Sequence, residues 1–64
     1  MRVLELTEDE KTLLATNREV VIEREDCPTV LQGEVLCIDA TLTARVRLGA
    51  YRSGMVTLVL DLIE

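Results

Sequence analysis

The side chains of this sequence that could do chemistry are mostly carboxylates. Acidic residues occur in close pairs, Glu8 with Glu10 and Glu23 with Glu25, and such pairs can act as general acid and base. The sequence has no histidine, one serine (Ser53) and no glycine-rich phosphate loop, so it lacks the usual parts for acyl or phosphoryl transfer. We therefore interpret the acid pairs as solvated surface charges, and we predict that the protein is not an enzyme and uses no cofactor.

Cys27 and Cys37 are the only thiols. They lack CxxC spacing and have no histidine to complete a tetrahedral set, so we expect no metal site. A disulfide between them is sterically possible, but free thiols suit a reducing cytosol. The chain turns acidic at Glu8 before a signal peptide could form, and no apolar run approaches the roughly 20 residues that span a bilayer. We expect a cytoplasmic protein without membrane contact.

The charge of the protein is strongly negative and unevenly spread. The formal net charge is −5, with eight acids against four bases in residues 1–26, whereas residues 45–52 hold three arginines and no acid. The sequence thus predicts an acidic end and a small basic tip. Arg45, Arg47 and Arg52 could bind phosphates or an acidic partner, but we favour the interpretation that they offset the protein's own acids across strands. The acidic cluster of Glu8, Asp9 and Glu10 could bind a protein partner with a basic surface, although most acidic surfaces only keep a protein soluble.

A short helix is predicted directly after the first few residues. Thr7-Glu8-Asp9-Glu10 fits a capping box, in which Thr7 is the N-cap and the Glu10 side chain bonds back to its backbone. Early acids suit the positive end of the helix dipole, and good helix formers follow. The helix would cover residues 8–16, and Asn17 could end it in a left-handed conformation.

The rest of the sequence reads as strands. Apolar residues alternate with other residues from Leu36 to Leu48, which is typical of a strand with one buried face. This segment is longer than an ordinary strand, so it is either bent or divided by a tight turn between Asp39 and Thr43. The remaining expected features are strands over residues 1–6, 19–25 and 55–63, a strand start at Val30-Leu31, a break at Asp26-Cys27-Pro28, and a hairpin loop over residues 50–54 with Gly54 at positive φ.

The final strand is apolar on both faces, and this indicates an interface. A chain of 64 residues with Tyr51 as its one aromatic has a marginal core, and a strand with two apolar faces is buried on both. We therefore predict one small mainly β domain over residues 1–64, an antiparallel sheet or open barrel of about five strands with at most one short helix, completed by homodimerisation. The predicted dimer contacts are Val56, Leu58, Leu60 and Leu62.

Short segments at both ends of the chain carry a family resemblance. The opening residues 1–7 (MRVLELT) resemble the first strand of the carbon storage regulators. That family also has a Val-Arg-Ile-Gly segment, a six-residue loop and a Val-Ser-Val strand, and the same spacing is found here in Val46 to Gly49, six residues, and Val56-Thr57-Leu58. Thr12-Leu13 and Glu19-Val20 resemble two further family segments with one-residue shifts. The resemblance implies an intertwined β-rich dimer that binds RNA, with strand rather than helix at residues 11–15.

The sequence departs from that family at positively charged positions. Glu8 and Asp9 stand where the family has arginines, Leu60 replaces the arginine of its last strand, and Arg52-Ser53 replaces the Ala-Pro of its loop. These changes remove most of the charge that would hold RNA.

Two functional hypotheses remain, and both are non-catalytic. The one we favour is an acidic regulator or inhibitor that binds a basic protein through Glu8, Asp9 and Glu10. The alternative, implied by the resemblance, is a post-transcriptional regulator that binds RNA through Leu6, Thr7, Arg47, Tyr51, Arg52 and Ser53.

Overall fold

A computed structural model describes residues 2–25 and 30–63 as a five-stranded sheet with a helix packed on one face. The strand order is β1-β3-β4-β5-β2; every neighbouring pair is antiparallel except β1 and β3, which are parallel. The mainly β fold with one short helix is thus confirmed, and the sheet is open and mixed. The elements are β1 (Arg2–Val3), α1 (Glu8–Asn17), β2 (Glu19–Glu25), β3 (Val35–Cys37), β4 (Thr43–Arg52) and β5 (Met55–Ile63).

Helix α1 begins at the predicted capping box. The Thr7 hydroxyl accepts from the Glu10 N–H at 3.2 Å, and Glu10 Oε1 accepts from the Thr7 N–H at 2.9 Å. The strand implied for residues 11–15 by the family resemblance is therefore not formed. The predicted left-handed end at Asn17 is wrong by one position, because Asn17 stays helical and Arg18 takes φ 65°. The Arg18 carbonyl accepts from Leu62 N–H at 2.8 Å, which ties this turn to β5.

The first strand is shorter than predicted. Strand β1 ends at Val3, although the Leu4 N–H still donates to the Cys37 carbonyl at 3.0 Å. The chain then leaves the sheet so that Leu6 can enter the core and Thr7 can cap the helix. Competition from the helix start therefore shortens β1.

The alternating segment is divided by a turn, as one of the two alternatives anticipated. Asp39 Oδ1 accepts hydrogen bonds from the Thr41 N–H (2.8 Å), the Thr41 hydroxyl (2.9 Å) and the Leu42 N–H (3.0 Å). These bonds lower the pKa of Asp39, the Thr41 backbone bond contributing most. The turn reverses the chain so that β3 pairs with β4. The strand start predicted at Val30-Leu31 is wrong, because a turn at residues 32–33 intervenes before β3.

A β-bulge in β4 changes the face on which its later residues lie. Val46 pairs with Leu60 and Leu48 pairs with Val59, so Arg47 is an extra residue in the ladder. Such a residue reverses the alternation of the side chains that follow it. Leu48 is therefore 54% exposed rather than buried, which corrects the uninterrupted pattern expected up to Leu48.

The β4–β5 hairpin has a tighter turn than the predicted loop over residues 50–54. Both strands continue to Arg52 and Met55, which leaves Ser53 and Gly54 as a two-residue turn. Gly54 has the predicted positive φ (80°), and Ser53 is also positive at 52°. Two positive φ values define the turn type that matches the twist of paired strands.

The sheet has two different faces. The core face lies under α1 and carries the even-numbered residues of β2 and β5, among them Ile22, Leu58 and Leu60, which are almost fully buried together with Leu14 of the helix. The opposite face, called here the open face, carries the odd-numbered residues of both strands, which no described helix or strand covers. The break predicted at Asp26-Cys27-Pro28 lies outside the described residues.

Candidate partner-binding site

The first turn of α1 uses its acidic residues in different ways. Glu10 is turned toward the sheet, where both of its carboxylate oxygens bond Arg24 of β2, with Nη1 to Oε2 at 3.0 Å. The hydrogen bond from Arg24 is the main cause that lowers the pKa of Glu10 from its ordinary 4.5, and the Thr7 bonds act in the same direction. Glu10 therefore holds the helix on the sheet and is occupied by contacts within the chain.

The other two acids of this turn are accessible. Asp9 is exposed, and Glu8 is exposed with its Oε1 3.7 Å from Lys11 Nζ. An exposed pair at this distance contributes little stability. Glu8 and Asp9 thus lie at the surface, whereas Glu10 is bonded to Arg24, and the predicted partner contact of the three acids stays a prediction.

Strand β2 lies at the edge of the sheet, and no other described strand pairs with its outer side. Leu62 N–H donates to the Arg18 carbonyl, and β2 pairs with β5 in the same register. In an antiparallel ladder, the backbone groups of successive residues point alternately toward and away from the neighbour. The N–H and C=O groups of Glu19, Val21, Glu23 and Glu25 must therefore point away from β5, to the outer edge.

The side chains of these four residues make the edge acidic and partly apolar. Glu19 Oε2 accepts from Arg47 Nη2 at 2.6 Å, whereas Glu23 and Glu25 are exposed at the surface. Val21 is 62% exposed. The outward-pointing Glu23 carbonyl accepts from Arg24 Nη1 at 3.0 Å, which agrees with the alternation.

A shallow groove lies beside this edge, between β2 and α1. It encloses about 400 Å³ and is lined by Leu13, Asn17, Glu19, Val20 and Val21. Leu13 and Val21 supply exposed apolar surface on its two sides. An extended segment lying along β2 would therefore find backbone partners, carboxylates and apolar contact together. We call the outer side of β2 with this groove the β2 edge.

Sequence reasoning found the strand but missed this site. The apolar centre of Glu19 to Glu25 predicts a strand, and Glu23 and Glu25 were interpreted only as solvated charges. No signal in the sequence places this strand at the border of the sheet, since its pairing with β5 joins residues that are thirty or more positions apart.

The residues assigned to RNA binding lie in different surroundings. Leu6 is buried in the core, and the Thr7 hydroxyl accepts from the Glu10 N–H. Arg47 donates to Asp61 through Nε (2.9 Å) and Nη2, and it donates to Glu19 through Nη2. The bonds to Asp61, followed by the bond to Glu19, raise the pKa of Arg47. The bond from Arg47 lowers the pKa of Asp61. Charge on Arg47 is thus already matched by two carboxylates.

The other three RNA-binding candidates lie together on the β4–β5 hairpin. Tyr51, Arg52 and Ser53 are exposed, Tyr51 at 75%. Tyr51 also lines a cavity of about 170 Å³ with Val30 and Val56 at that end of the core face. The structure therefore brings together only the hairpin part of that predicted set.

The residues predicted to form a dimer interface lie on the core face of β5. Val56, Leu58 and Leu60 are buried within this chain, and Leu62 is partly buried. They pack under α1 and neighbouring loops, so a second copy would find Met55, Val59 and Ile63 on the open face of the same strand. Homodimerisation itself remains a prediction.

The described residues include no cluster of three cysteine or acidic side chains placed to hold a metal ion. Cys37 is a free thiol, and Cys27 lies outside the described residues. Within that same part of the chain, α1 is the one helix, and it is too short to cross a membrane.

Comparison with known proteins adds no relative. No protein-family model matches the chain, and neither the curated proteins nor the solved structures contain one that is significantly similar. Functional inference therefore depends on the residues and their geometry.

Proposed function

We propose that this protein is a non-catalytic binding protein that regulates or inhibits a partner by adding an extended basic segment of it to the β2 edge as a sixth strand. The observation that supports this proposal is the outer side of β2, where Glu19, Val21, Glu23 and Glu25 point backbone hydrogen-bonding groups away from the sheet. Backbone bonds to a sheet edge provide affinity for an added strand, and alternate side chains provide specificity.

Charge indicates which kind of strand would fit. In an added strand, side chains next to those of β2 on the open face would lie beside Glu19, Glu23 and Glu25, and opposite charges on neighbouring strands attract. A segment with lysine or arginine at every second position would satisfy this pattern. Glu8 and Asp9 on α1 add to the negative potential that attracts such a partner.

A second copy of the same strand would not fit this edge. If two copies of β2 paired antiparallel, the open-face residues of one strand would lie beside those of the other. These residues are Glu19, Val21, Glu23 and Glu25 in each strand. A register centred on Val21 places Glu19 beside Glu23, and one centred on Ile22 places Glu19 beside Glu25. Like charges directly opposite one another destabilise strand pairing, so a basic partner is favoured over self-association here.

The proposal can be tested with an eight-residue peptide of alternating lysine and valine, labelled for fluorescence anisotropy. We expect saturable binding that weakens with salt. Glu23→Lys should weaken it about fivefold, because one attraction of roughly 0.5 kcal/mol becomes a repulsion of similar size. The matched control is Glu5→Lys, which changes an exposed acid by the same charge away from the strands of the sheet.

Two results would contradict strand addition at this edge. One is equal binding of the basic peptide to the Glu23→Lys and Glu5→Lys variants, and the other is equal binding of a peptide with glutamate in place of lysine. Titration of an RNA hairpin with a GGA loop tests the alternative function. Saturable, salt-sensitive RNA binding that Arg52→Ala abolishes would favour an RNA regulator instead.

A further inference from the structure

The open face contains one continuous apolar row across the three longest strands. Leu48 of β4 pairs with Val59 of β5, which pairs in turn with Val21 of β2. Leu48 and Val21 are both more than half exposed, and Val59 is partly exposed. The bulge at Arg47 creates this row, because without it Leu48 would lie on the core face. A sheet face with such a row is ordinarily packed against another layer.

Charges of opposite sign lie on the two sides of this row. On the β4 side are Arg45 and Arg52, and on the β2 side are Glu23 and Glu25. The register shows that Arg52, Met55 and Glu25 form one row across the sheet, with the uncharged β5 residue in the middle. Arg45, Asp61 and Glu19 form another, in which Arg47 joins the two acids. The open face is therefore basic along β4 and acidic along β2.

We propose that a second copy of this chain covers the open face, in a face-to-face dimer whose two-fold axis runs parallel to β5. This rotation exchanges the two sides of the sheet but keeps the position along the strands. The basic β4 of one copy then lies over the acidic β2 of the other, so that Arg52 faces the partner's Glu25 and Leu48 faces the partner's Val21. Val59 meets the same residue of the second copy at the axis.

Other arrangements of two copies do not match the charges. A two-fold axis in the plane of the interface but perpendicular to the strands would place each β2 over the partner's β2, which opposes acid to acid. In a two-fold face-to-face contact, both copies contribute the same surface. Each charged group must therefore lie over a group of opposite charge in the partner's copy of that surface. The axis along β5 meets this condition for the charges of β4 and β2 and for the apolar row. Asp61 of β5 lies over the partner's Asp61, and each of these carboxylates is bonded to Arg47 of its own chain.

The size of the face indicates a weak dimer. Nine residues at about 3.4 Å each make β5 roughly 30 Å long, and three strands about 4.8 Å apart give a footprint of roughly 400 Å² on each copy. This is about half of the roughly 800 Å² per partner of a standard interface and is in the range of weak, transient contacts, so we expect association at micromolar or higher concentration that weakens with salt. No strand is exchanged, and the backbone groups of the β2 edge stay accessible.

A complementary pair of charge reversals tests the proposal by sedimentation velocity at low salt. Arg52→Glu alone would place a glutamate over the partner's Glu25, and Glu25→Arg alone would place an arginine over the partner's Arg52. Each variant should therefore dimerise at least about tenfold more weakly than the wild type.

An equimolar mixture of the two variants restores the attraction at both contacts. The glutamate introduced in one variant lies over the arginine introduced in the other, and the native Arg52 of the second lies over the native Glu25 of the first. The mixture should therefore associate within about threefold of the wild-type dissociation constant. Glu5→Arg is the control for added positive charge and should dimerise as the wild type does.

The dimerisation of the wild-type protein and of the equimolar mixture of variants decides whether the proposal holds. A wild-type protein that stays monomeric up to millimolar concentration would overturn the proposal, as would folded single variants whose mixture stays monomeric. If either variant fails to fold, NMR spectra of the wild type on dilution decide the question. Shifts of the methyl groups of Leu48 and Val59 together with Val21 support the open-face dimer, and shifts of Leu13 and Val21 that leave Leu48 and Val59 unchanged refute it. Because no peptide is present, failure here is distinct from failure of the proposed partner binding.

Discussion

Replacing Glu10 should separate the two contacts that this carboxylate makes. Glu10→Ala removes the capping-box bond to the Thr7 N–H and both bonds to Arg24, whereas Glu10→Gln keeps an oxygen acceptor and loses the charge. A capping contact contributes about 1 kcal/mol, and a partly buried charged bond contributes about 1 kcal/mol as well. We expect Glu10→Ala to cost about 2 kcal/mol and Glu10→Gln about 1 kcal/mol.

Urea denaturation followed by circular dichroism measures these differences in the free energy of unfolding. Each kcal/mol should also lower Tm by about 4–8 °C in a domain of this size. A double-mutant cycle with Arg24→Gln isolates the coupling between Glu10 and Arg24. A coupling energy near zero would show that the pair does not hold α1 on β2, and equal losses for the two Glu10 substitutions would refute the capping contribution.

The same pair predicts a pH dependence with a definite sign. The folded-state pKa of Glu10 lies below its ordinary 4.5, mainly because of the Arg24 bond, so the folded state favours the ionised form. Its contribution is fully present above pH 4.5 and is lost as the pH falls through the lower folded-state value. The stability difference between wild type and Glu10→Gln should therefore shrink below pH 4.5. A difference that grows on acidification would contradict this assignment.

Two further predictions test the core and the hairpin turn. Leu60→Asp should abolish cooperative unfolding, because Leu60 is fully buried and an unpaired buried charge costs several kcal/mol, comparable to the whole stability of a small domain. The control is the same change at Leu31, which is 70% exposed and should leave the circular dichroism melt intact. A folded Leu60→Asp variant would contradict the core assignment. Gly54→Ala should destabilise the protein by about 1 kcal/mol, because Gly54 has φ 80°. Ser53→Asn should be neutral or stabilising, because asparagine tolerates the left-handed region better than serine. The opposite order of melting temperatures would refute the turn geometry.

Local patterns allowed several elements to be predicted correctly. The capping box identified the start of α1 to the residue, because both bonds of the box join groups only three positions apart. Alternation located β4, apolar strand-forming segments located β2 and β5, and Gly54 marked the hairpin turn. These features depend on contacts between near neighbours, which a sequence pattern records directly.

The candidate site was harder to predict because it depends on long-range pairing. Glu10 and Arg24 are fourteen positions apart, so the acid assigned to a partner was not recognised as an internal contact. Arg47 was expected to bind a partner or, by the favoured interpretation, to offset the protein's own acids across strands, and the sheet places it beside Glu19 and Asp61, 28 and 14 positions away. The sequence did not indicate which acids these would be. Charge in a sequence indicates what could bind, but only the fold shows which charges already have partners.

The sequence by itself determined the class of the elements, the acidic balance of the protein and the apolar stripe that forms the core. The tertiary structure decided the strand order, and hence that β2 is an edge and that β5 directs Leu58 and Leu60 into its own core. It also decided the bulge at Arg47, which moves Leu48 to the open face. The physical reason is that side-chain alternation specifies only which residues share a face, whereas strand order and register arise from packing between segments far apart in the chain.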